Sequence, residues 1–352
     1  MKKILFITRD LDDQEGSGGL VVSKRNLDFL KTIYGSSNID IFTIEKPSIL
    51  TRIVNLVFKQ SYGQTLKNFS RFKSLIKKDY LFVFYNSSIY GGFVKYATKI
   101  NKMQIVFYHN IEYKFYMDKY NVSKKTIDLL YAKYIRFNEY SATKKSNIRI
   151  TLNNRDSKDL LEFYGEQSSF ELPISFPQKQ NMQKIISNEN FYLFVGSNFF
   201  ANTDGVSWFI ENVMNYIDMD FYIIGSVCNS LRKYENNKHI KLLGFVDNLD
   251  FYYKNASFVV SPIFKGSGMK TKTIEALSFG KTIFGTKEAF EGINIDYTKI
   301  GGLCMTAEEF IKKINSYDNK RFNPNSYELF ISNYSDEAVI NQLRIFLKKN
   351  GL

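Results

Sequence analysis

The sequence predicts an α/β protein built from two tandem doubly wound, Rossmann-like domains facing each other across a cleft. Three observations predict it. The chain has 352 residues, which at roughly 150 per domain suggests two domains. Short apolar runs alternate with helical patterns, and the runs are continuous rather than every-other, as in parallel strands covered on both faces. The alternation stops once, in a polar stretch carrying two of the five prolines, and then restarts.

In the first half, strands are expected at Ile4–Thr8, Ile39–Ile44, Leu81–Tyr85, Gln104–Tyr108 and Ile148–Leu152. Helices are expected around Val21–Leu30, Arg52–Lys77, Tyr90–Ile100 and Asp156–Tyr164, where apolar residues recur at helical spacing. From Pro173 to about Asn190 the composition is that of a linker. Strands resume at Tyr192–Val195, Phe221–Ile224, Ile240–Leu243, Phe258–Ser261 and Thr282–Gly285, with helices near Val206–Tyr216, Leu249–Lys254, Lys272–Phe279 and Ala307–Ser316. A terminal helix over Ser335–Lys349 opens on a serine cap with Asp336 and Glu337 and closes on Lys348-Lys349-Asn350-Gly351. The domains are therefore set at 1–175, 176–334 and a terminal helix over 335–352.

Composition excludes several classes. The chain is 44% hydrophobic and 24% charged, ordinary for a globular protein. Two cysteines make no disulfide framework, and two histidines supply no multi-histidine metal centre. No metal or cofactor is expected. No run of about 18 apolar residues is free of charge, and the N-terminal apolar run is too short for a signal peptide. A cytoplasmic protein is expected, with any membrane contact peripheral.

The formal charge of +13 points to an anionic partner, and it is unevenly placed: residues 1–175 carry 28 basic and 17 acidic side chains, and the remainder 20 and 18. The densest stretch holds Arg52, Lys59, Lys67, Arg71, Lys73, Lys77 and Lys78 against the single acid Asp79. Apolar residues among them give it a basic amphipathic character, suited to an acidic membrane or substrate. A solvated helix face over an ordinary core is the competing reading.

Four constellations lie at expected strand ends, where doubly wound sheets bind ligands. Gly16-Ser17-Gly18-Gly19 opens the first helix and offers backbone amides to an anion, although a flexible turn reads equally well. His109-Asn110-Ile111-Glu112 follows a strand directly, whereas His239 has no such context. Gly196-Ser197-Asn198, followed by Asn202-Thr203-Asp204-Gly205, forms another strand end and helix start. The strongest runs from Ser261 to Gly280: Gly266-Ser267-Gly268-Met269 makes a loop, Lys270 and Lys272 add cations near a helix start, and Glu275 stands one turn on to accept bonds from vicinal hydroxyls. Glu291-Gly292 could border the same pocket, or be a simple turn.

The run Ser261 to Leu277, with Gly280-Lys281-Thr282 and Glu291-Gly292, resembles the nucleotide-sugar site of group 1 (family 4) glycosyltransferases of the two-domain glycosyltransferase-B fold, of the bacterial surface-polysaccharide type. Gly18-Gly19, His109-Asn110 and Phe194-Val195-Gly196-Ser197 with Asp204-Gly205-Val206-Ser207-Trp208-Phe209 match in order and spacing. The resemblance implies a retaining, metal-independent transfer of sugar from a nucleotide sugar to a glycan or lipid-linked acceptor, in cell-surface polysaccharide synthesis. It implies that Gly266, Ser267 and Gly268 contact donor sugar and diphosphate, that Lys270 and Lys272 neutralise phosphate, that Glu275 binds the ribose, that His109 touches the donor sugar, and that Gly18 and Gly19 lie under diphosphate or acceptor. One departure stands out: many relatives carry an acid eight residues before the ribose-binding Glu, and here that position is Ser267. A sugar-nucleotide epimerase of the same fold and a non-catalytic partner subunit are the rival readings; no nucleic-acid motif is present.

Overall fold

The computed structural model describes residues 2–11, 18–45, 47–179, 187, 189–266 and 268–352. The chain divides into two compact units, Met1–Pro173 with Ile340–Leu352, and Ile174–Val339.

Unit 1 is a six-stranded parallel sheet in the order β2-β1-β3-β4-β5-β6. Its strands are β1 (Lys3–Arg9), β2 (Ile39–Ile44), β3 (Tyr80–Tyr85), β4 (Gln104–Phe107), β5 (Ile148–Thr151) and β6 (Phe170–Glu171). The crossovers carry α1 (Gly18–Tyr34), α2 (Ile49–Val57), α3 (Leu66–Leu75), α4 (Gly91–Thr98), α5 (Glu112–Ser123), α6 (Thr126–Lys145) and α7 (Asn154–Tyr164). Ile4, Leu5, Phe6 and Ile7 of β1 are all fully buried, because helices cover both faces of a parallel sheet and leave no polar side for the strand to alternate with.

Unit 2 holds a second parallel sheet, β12-β11-β10-β7-β8-β9. Its strands are β7 (Phe191–Val195), β8 (Asp220–Ile224), β9 (Ile240–Gly244), β10 (Val259–Ser261), β11 (Ile283–Gly285) and β12 (Gly301–Leu303). Its helices are α8 (Phe200–Asn212), α9 (Leu249–Asn255), α10 (Thr271–Ser278), α11 (Ala307–Asn315) and α12 (Pro324–Asn333), and α13 (Asp336–Lys349) closes the chain. Tyr192 on β7 stacks between Phe221 of the neighbouring strand β8 and Phe258, with ring centroids 4.6 and 5.2 Å away. Two parallel six-stranded sheets are what the alternation of apolar runs predicts.

The structure corrects four expectations. The helical stretch expected over Arg52–Lys77 is two helices, because Gly63 adopts a left-handed φ of 67° and Thr65 begins α3 with a reciprocal capping box to Asn68. The helix α1 starts at Gly18, so Gly18 and Gly19 form its first turn rather than a loop before it. Two helices fill residues 112–145, where none was expected: α6 turns Asn138, Glu139 and Thr143 inward along with Ala132, Ile135 and Ala142, and inward polar residues blur the apolar spacing. The elements β6, β12 and α12 were also unforeseen. Gly16 and Ser17, and 180–186 and 188 of the expected linker, lie outside the described residues.

Close backbone approach fixes how α8 lies on the sheet. A Cβ at Gly205 would stand 1.9 Å from the carbonyl oxygen of Pro262, on the loop leaving β10. Gly205→Ala therefore forces helix and loop apart, and overpacking of this kind costs about 1–3 kcal/mol. The expected result is a lower urea midpoint than wild type, whereas Gly244→Ala, with no atom within 4 Å of its Cβ, meets only the strain of its positive φ. Equal midpoints for wild type and Gly205→Ala would contradict the packing.

Candidate functional site

In each sheet the strand order reverses at one place, between β1 and β3 in unit 1 and between β7 and β10 in unit 2. Loops diverge there and open a crevice at the carboxyl ends of the strands. The sequence-predicted residues gather at these two points, unit by unit.

In unit 2, β7 runs into Gly196-Ser197-Asn198. A Cβ at Gly196 would press within 2.8 Å of the Phe194 ring, so any larger residue would force that ring to shift. The amide of Asn198 donates to Ser226 Oγ at 2.8 Å, and Ser230 Oγ donates to Asn198 Oδ1 at 2.7 Å. Asn202 Nδ2 reaches back to the Ser197 carbonyl at 2.9 Å. Its Oδ1 accepts from Lys272 Nζ, which also sits 4.5 Å over the Phe194 ring. Lys272 lies in the first turn of α10. Burial, and secondarily the charge of Lys270, lowers its pKa to about 7.

The loop before α10 bends through Gly266 and Gly268, with φ of 149° and 62°; Ser267 between them lies outside the described residues. Met269 is buried. Lys270 does not project alone: its ammonium donates to the Gly268 carbonyl at 2.8 Å and pairs with Glu288 Oε1 at 2.6 Å. Glu275 receives the Tyr253 hydroxyl at 3.2 Å, and burial raises its carboxyl to about 7. Thr273 Oγ1 donates to the Ala289 carbonyl at 2.7 Å, which draws the segment bearing Glu291 and Gly292 against α10. Gly292 turns with φ 79°, and its carbonyl accepts from Tyr334. The described residues of 196–202, 266, 268–275 and 288–292 are thus one cluster. Glu288 and Tyr253 were not foreseen: the place of Glu288 just past β11 could have flagged it, whereas Tyr253, in the last turn of α9, carried no such signal. Trp208, the only tryptophan, lies on α8 edge-on to Phe264 of the β10 loop, with centroids 4.6 Å apart.

In unit 1, His109 follows β4 at the same edge as Asn86, which follows β3. The His109 Nε2 lies 2.9 Å from the Asn86 backbone oxygen. That oxygen only accepts, so Nε2 carries the proton. Burial lowers the ring's pKa to about 4, the Asn86 bond opposes this, and Arg9 and Arg25 push further down. The ring is therefore neutral at pH 7, with Nδ1 a buried acceptor that has no hydrogen-bond partner among the described residues. Ser23 Oγ, 3.5 Å from Nε2, donates to the Gly19 carbonyl at 2.7 Å and links His109 to the start of α1. Arg9 ends β1 and approaches Gly19: a Cβ there would lie 3.6 Å from its Nη2. Arg9 was missed in the sequence, although a cation closing a strand at the ligand edge was the available signal. His239 lies apart in unit 2 and pairs with Asp220 at 3.1 Å.

All seven basic residues, Arg52, Lys59, Lys67, Arg71, Lys73, Lys77 and Lys78, are exposed. Phe72 and Ile76 beneath them are buried, so α3 is a charged face over core, but Ile53 and Val57 of α2 are 51% and 65% exposed. Among the described residues no group of three or more His, Cys, Asp or Glu side chains could hold a metal ion, and no helix is long and apolar enough to cross a membrane.

Residues 189–317, the greater part of unit 2, match the family described as "Glycosyl transferases group 1". Comparison with curated proteins returns no match. Among solved structures, the chain is similar to sucrose-phosphate synthase from Thermosynechococcus elongatus (15% identity, 99% of each chain covered, TM-score 0.75). It is also similar to HepE from Anabaena, solved with UDP and glucose (13%, 99% of this chain and 100% of that one, 0.68). A third is the lipopolysaccharide outer core galactosyltransferase WaaB (11%, 99% of each, 0.65). At such identities the likeness establishes the fold, and the fold is that of the glycosyltransferase-B enzymes.

The neutral His109 makes a pH prediction. Its folded pKa of about 4 lies below the ordinary 6.5, so the unfolded chain binds a proton first as pH falls. Stability conferred by the neutral ring is complete above about 6.5 and is lost as pH drops toward 4. Denaturant titrations of wild type and His109→Gln across this window are expected to show a shallower loss in the variant; parallel curves would refute the buried neutral ring.

Proposed function

We propose that the protein is a glycosyltransferase that moves a sugar from a nucleotide-sugar donor to an acceptor hydroxyl, with unit 2 binding the donor and unit 1 the acceptor. The observation that carries this reading is Lys272, a half-buried lysine with a depressed pKa at the first turn of α10 and at the β7/β10 switch point, inside the segment that matches the group 1 family. A diphosphate is the ligand that such a site suits: it meets an ammonium group and the positive end of a helix in a water-poor place. The UDP and glucose in the HepE structure support a nucleotide sugar as donor.

In this reading Glu275 accepts bonds from the ribose hydroxyls, and the turns at Gly196 and at Gly266 and Gly268 bring backbone amides toward donor sugar and phosphate. His109 touches the donor sugar, as the family resemblance implies. The bond between the anomeric carbon and the phosphate oxygen breaks, the acceptor oxygen bonds to that carbon, and the acceptor's proton passes to the departing nucleoside diphosphate. Charge on the leaving group is stabilised by Lys272 and the α10 amides rather than by a metal. Retention of anomeric configuration is carried by the family resemblance.

The acceptor is assigned as a lipid-linked or polysaccharide intermediate of a cell-surface glycan, presented at an anionic membrane face. Supporting this, α2 exposes Ile49, Leu50, Ile53, Val54 and Val57 by 45–76%, with Arg52 on the same helix and Lys59 just beyond it. A helix with this face lies flat in a lipid interface, its apolar side inserted and its cations at the headgroups.

Two outcomes test the reading. A nucleotide sugar is expected to raise the melting temperature, and its binding at pH 8 to take up a proton, because phosphate restores the charge that burial removes from Lys272. Lys272→Ala abolishes that uptake and lowers turnover by about a hundredfold; calorimetry in buffers of different ionisation enthalpy reads the first, product analysis the second. Stabilisation by no nucleotide sugar would sink the assignment. For the membrane, sedimentation with anionic vesicles is expected to persist in part at high salt, since inserted side chains are not screened, and to be lost in Ile53→Glu with Val57→Glu. Undiminished binding by that double variant would remove α2 from the interface.

A further inference from the structure

Glu139 lies on α6 and is fully buried, yet no ion pair reaches it among the described residues. Four donors converge on its carboxylate instead. The backbone amide of Glu112 donates to Oε1 at 3.0 Å and that of Tyr113 to Oε2 at 3.1 Å. Ser88 Oγ donates to Oε1 at 2.8 Å and the Tyr164 hydroxyl to Oε2 at 2.7 Å. Glu112 and Tyr113 are the first residues of α5, whose own cap position, Ile111, supplies no side-chain bond. A carboxylate from another helix thus takes the place of the missing N-cap.

The consequence reaches His109. The segment from Tyr108 to Ile111 is held at its start by the Tyr108 amide on the Ile150 carbonyl, 2.8 Å, and at its end by the two amides on Glu139. Asn86, whose carbonyl receives the His109 proton, stands two residues before Ser88, which also binds Glu139. One carboxylate therefore fixes both partners of the His109–Asn86 bond, and that bond decides which ring nitrogen is left bare. Burial raises the Glu139 carboxyl, and the same four hydrogen bonds oppose that shift; ionised, it accepts from all four donors at once, whereas a glutamine would turn an NH2 toward the Tyr113 amide or the Tyr164 hydroxyl.

We propose that Glu139 is a positioning residue that acts through His109, holding the imidazole in one orientation and one tautomer, with the proton on Nε2 and Nδ1 bare. The role of His109 in the substrate site rests on the transferase reading above; the hold of Glu139 on the ring does not.

With two histidines in the chain, the test is spectroscopic and uses the full-length protein with 15N-labelled histidine, His239 serving as internal reference. Wild type is expected to show His109 as the Nε2–H form. In Glu139→Gln the two ring nitrogens of His109 converge, as the tautomers mix, while those of His239 stay in place. Ser88→Ala keeps the carboxylate and both α5 amides but frees the Asn86 side, and is expected to give a smaller convergence; it decides the matter if Glu139→Gln does not fold. Unmoved His109 signals in the folded variants overturn the proposal. Transfer assays add a second arm: Glu139→Gln is expected to lower kcat roughly ten- to a hundredfold with little change in donor KM, and by less than about twofold once His109 is alanine. Equal losses in both backgrounds overturn the proposal and leave the transferase reading intact. Absence of transfer by wild type overturns that reading instead, and the ring signals still decide the role of Glu139.

Discussion

A strand in a parallel sheet cannot be joined to the next by a hairpin; the chain must cross back over a face before it can run the same way again. Everything else in both units follows from that constraint. Crossovers bury both faces, which is why the strands are apolar throughout, and every strand-to-helix loop leaves from one edge. Where the strand order reverses, two such loops part. Asn202, Lys272, Glu275 and Glu288 are scattered along the sequence, yet they meet because each sits just past the end of a strand, on a loop or in the early turns of the helix that follows.

The buried charges of unit 2 divide by how well they are answered. Lys281 is almost wholly enclosed, and its ammonium donates to the carbonyls of Lys254 at 3.0 Å, Ala256 at 2.9 Å and Arg321. Three acceptors match its three donors, so it has nothing left for a ligand and reads as a structural clamp. Lys272 is half-buried and has one side-chain acceptor and the face of an aromatic ring. An ammonium group short of water and with donors to spare is costly to charge until an anion arrives, and this difference separates two lysines that look alike in sequence. Lys270 stands between them, since its charge is matched by Glu288.

Much of the fold was legible because parallel strands leave long apolar signatures: Ile4–Thr8 lies within the observed Lys3–Arg9, and Lys272–Phe279 differs from Thr271–Ser278 by one residue at each end. What escaped has physical causes. The inward face of α6 mixes alanine and isoleucine with Asn138, Glu139 and Thr143, so no clean stripe marks it. The strand β12 begins Gly-Gly because a Cβ at Gly301 would lie 2.1 Å from the Ile283 carbonyl, and two glycines do not announce a strand. The start of α12 was legible and passed over: Asn323 caps it and Pro324 follows. At the candidate site, the glycines and lysines of 266–272 stood out by type and spacing. The partner of Lys270 did not, for Glu288 comes from a loop eighteen residues on, and pairing across that distance is a property of the folded chain.

Trp208 gives the molecule an optical handle. It is the one indole in the chain, and it rests against Phe264, two residues before the Gly266 bend and on the same loop as the residues that lead into α10. Indole emission depends on what the ring edge touches, so any rearrangement of that loop would alter the intensity or colour of a signal with a single source. Movements around the unit 2 cluster can therefore be followed in the unmodified protein, without attaching a dye to the surface under study.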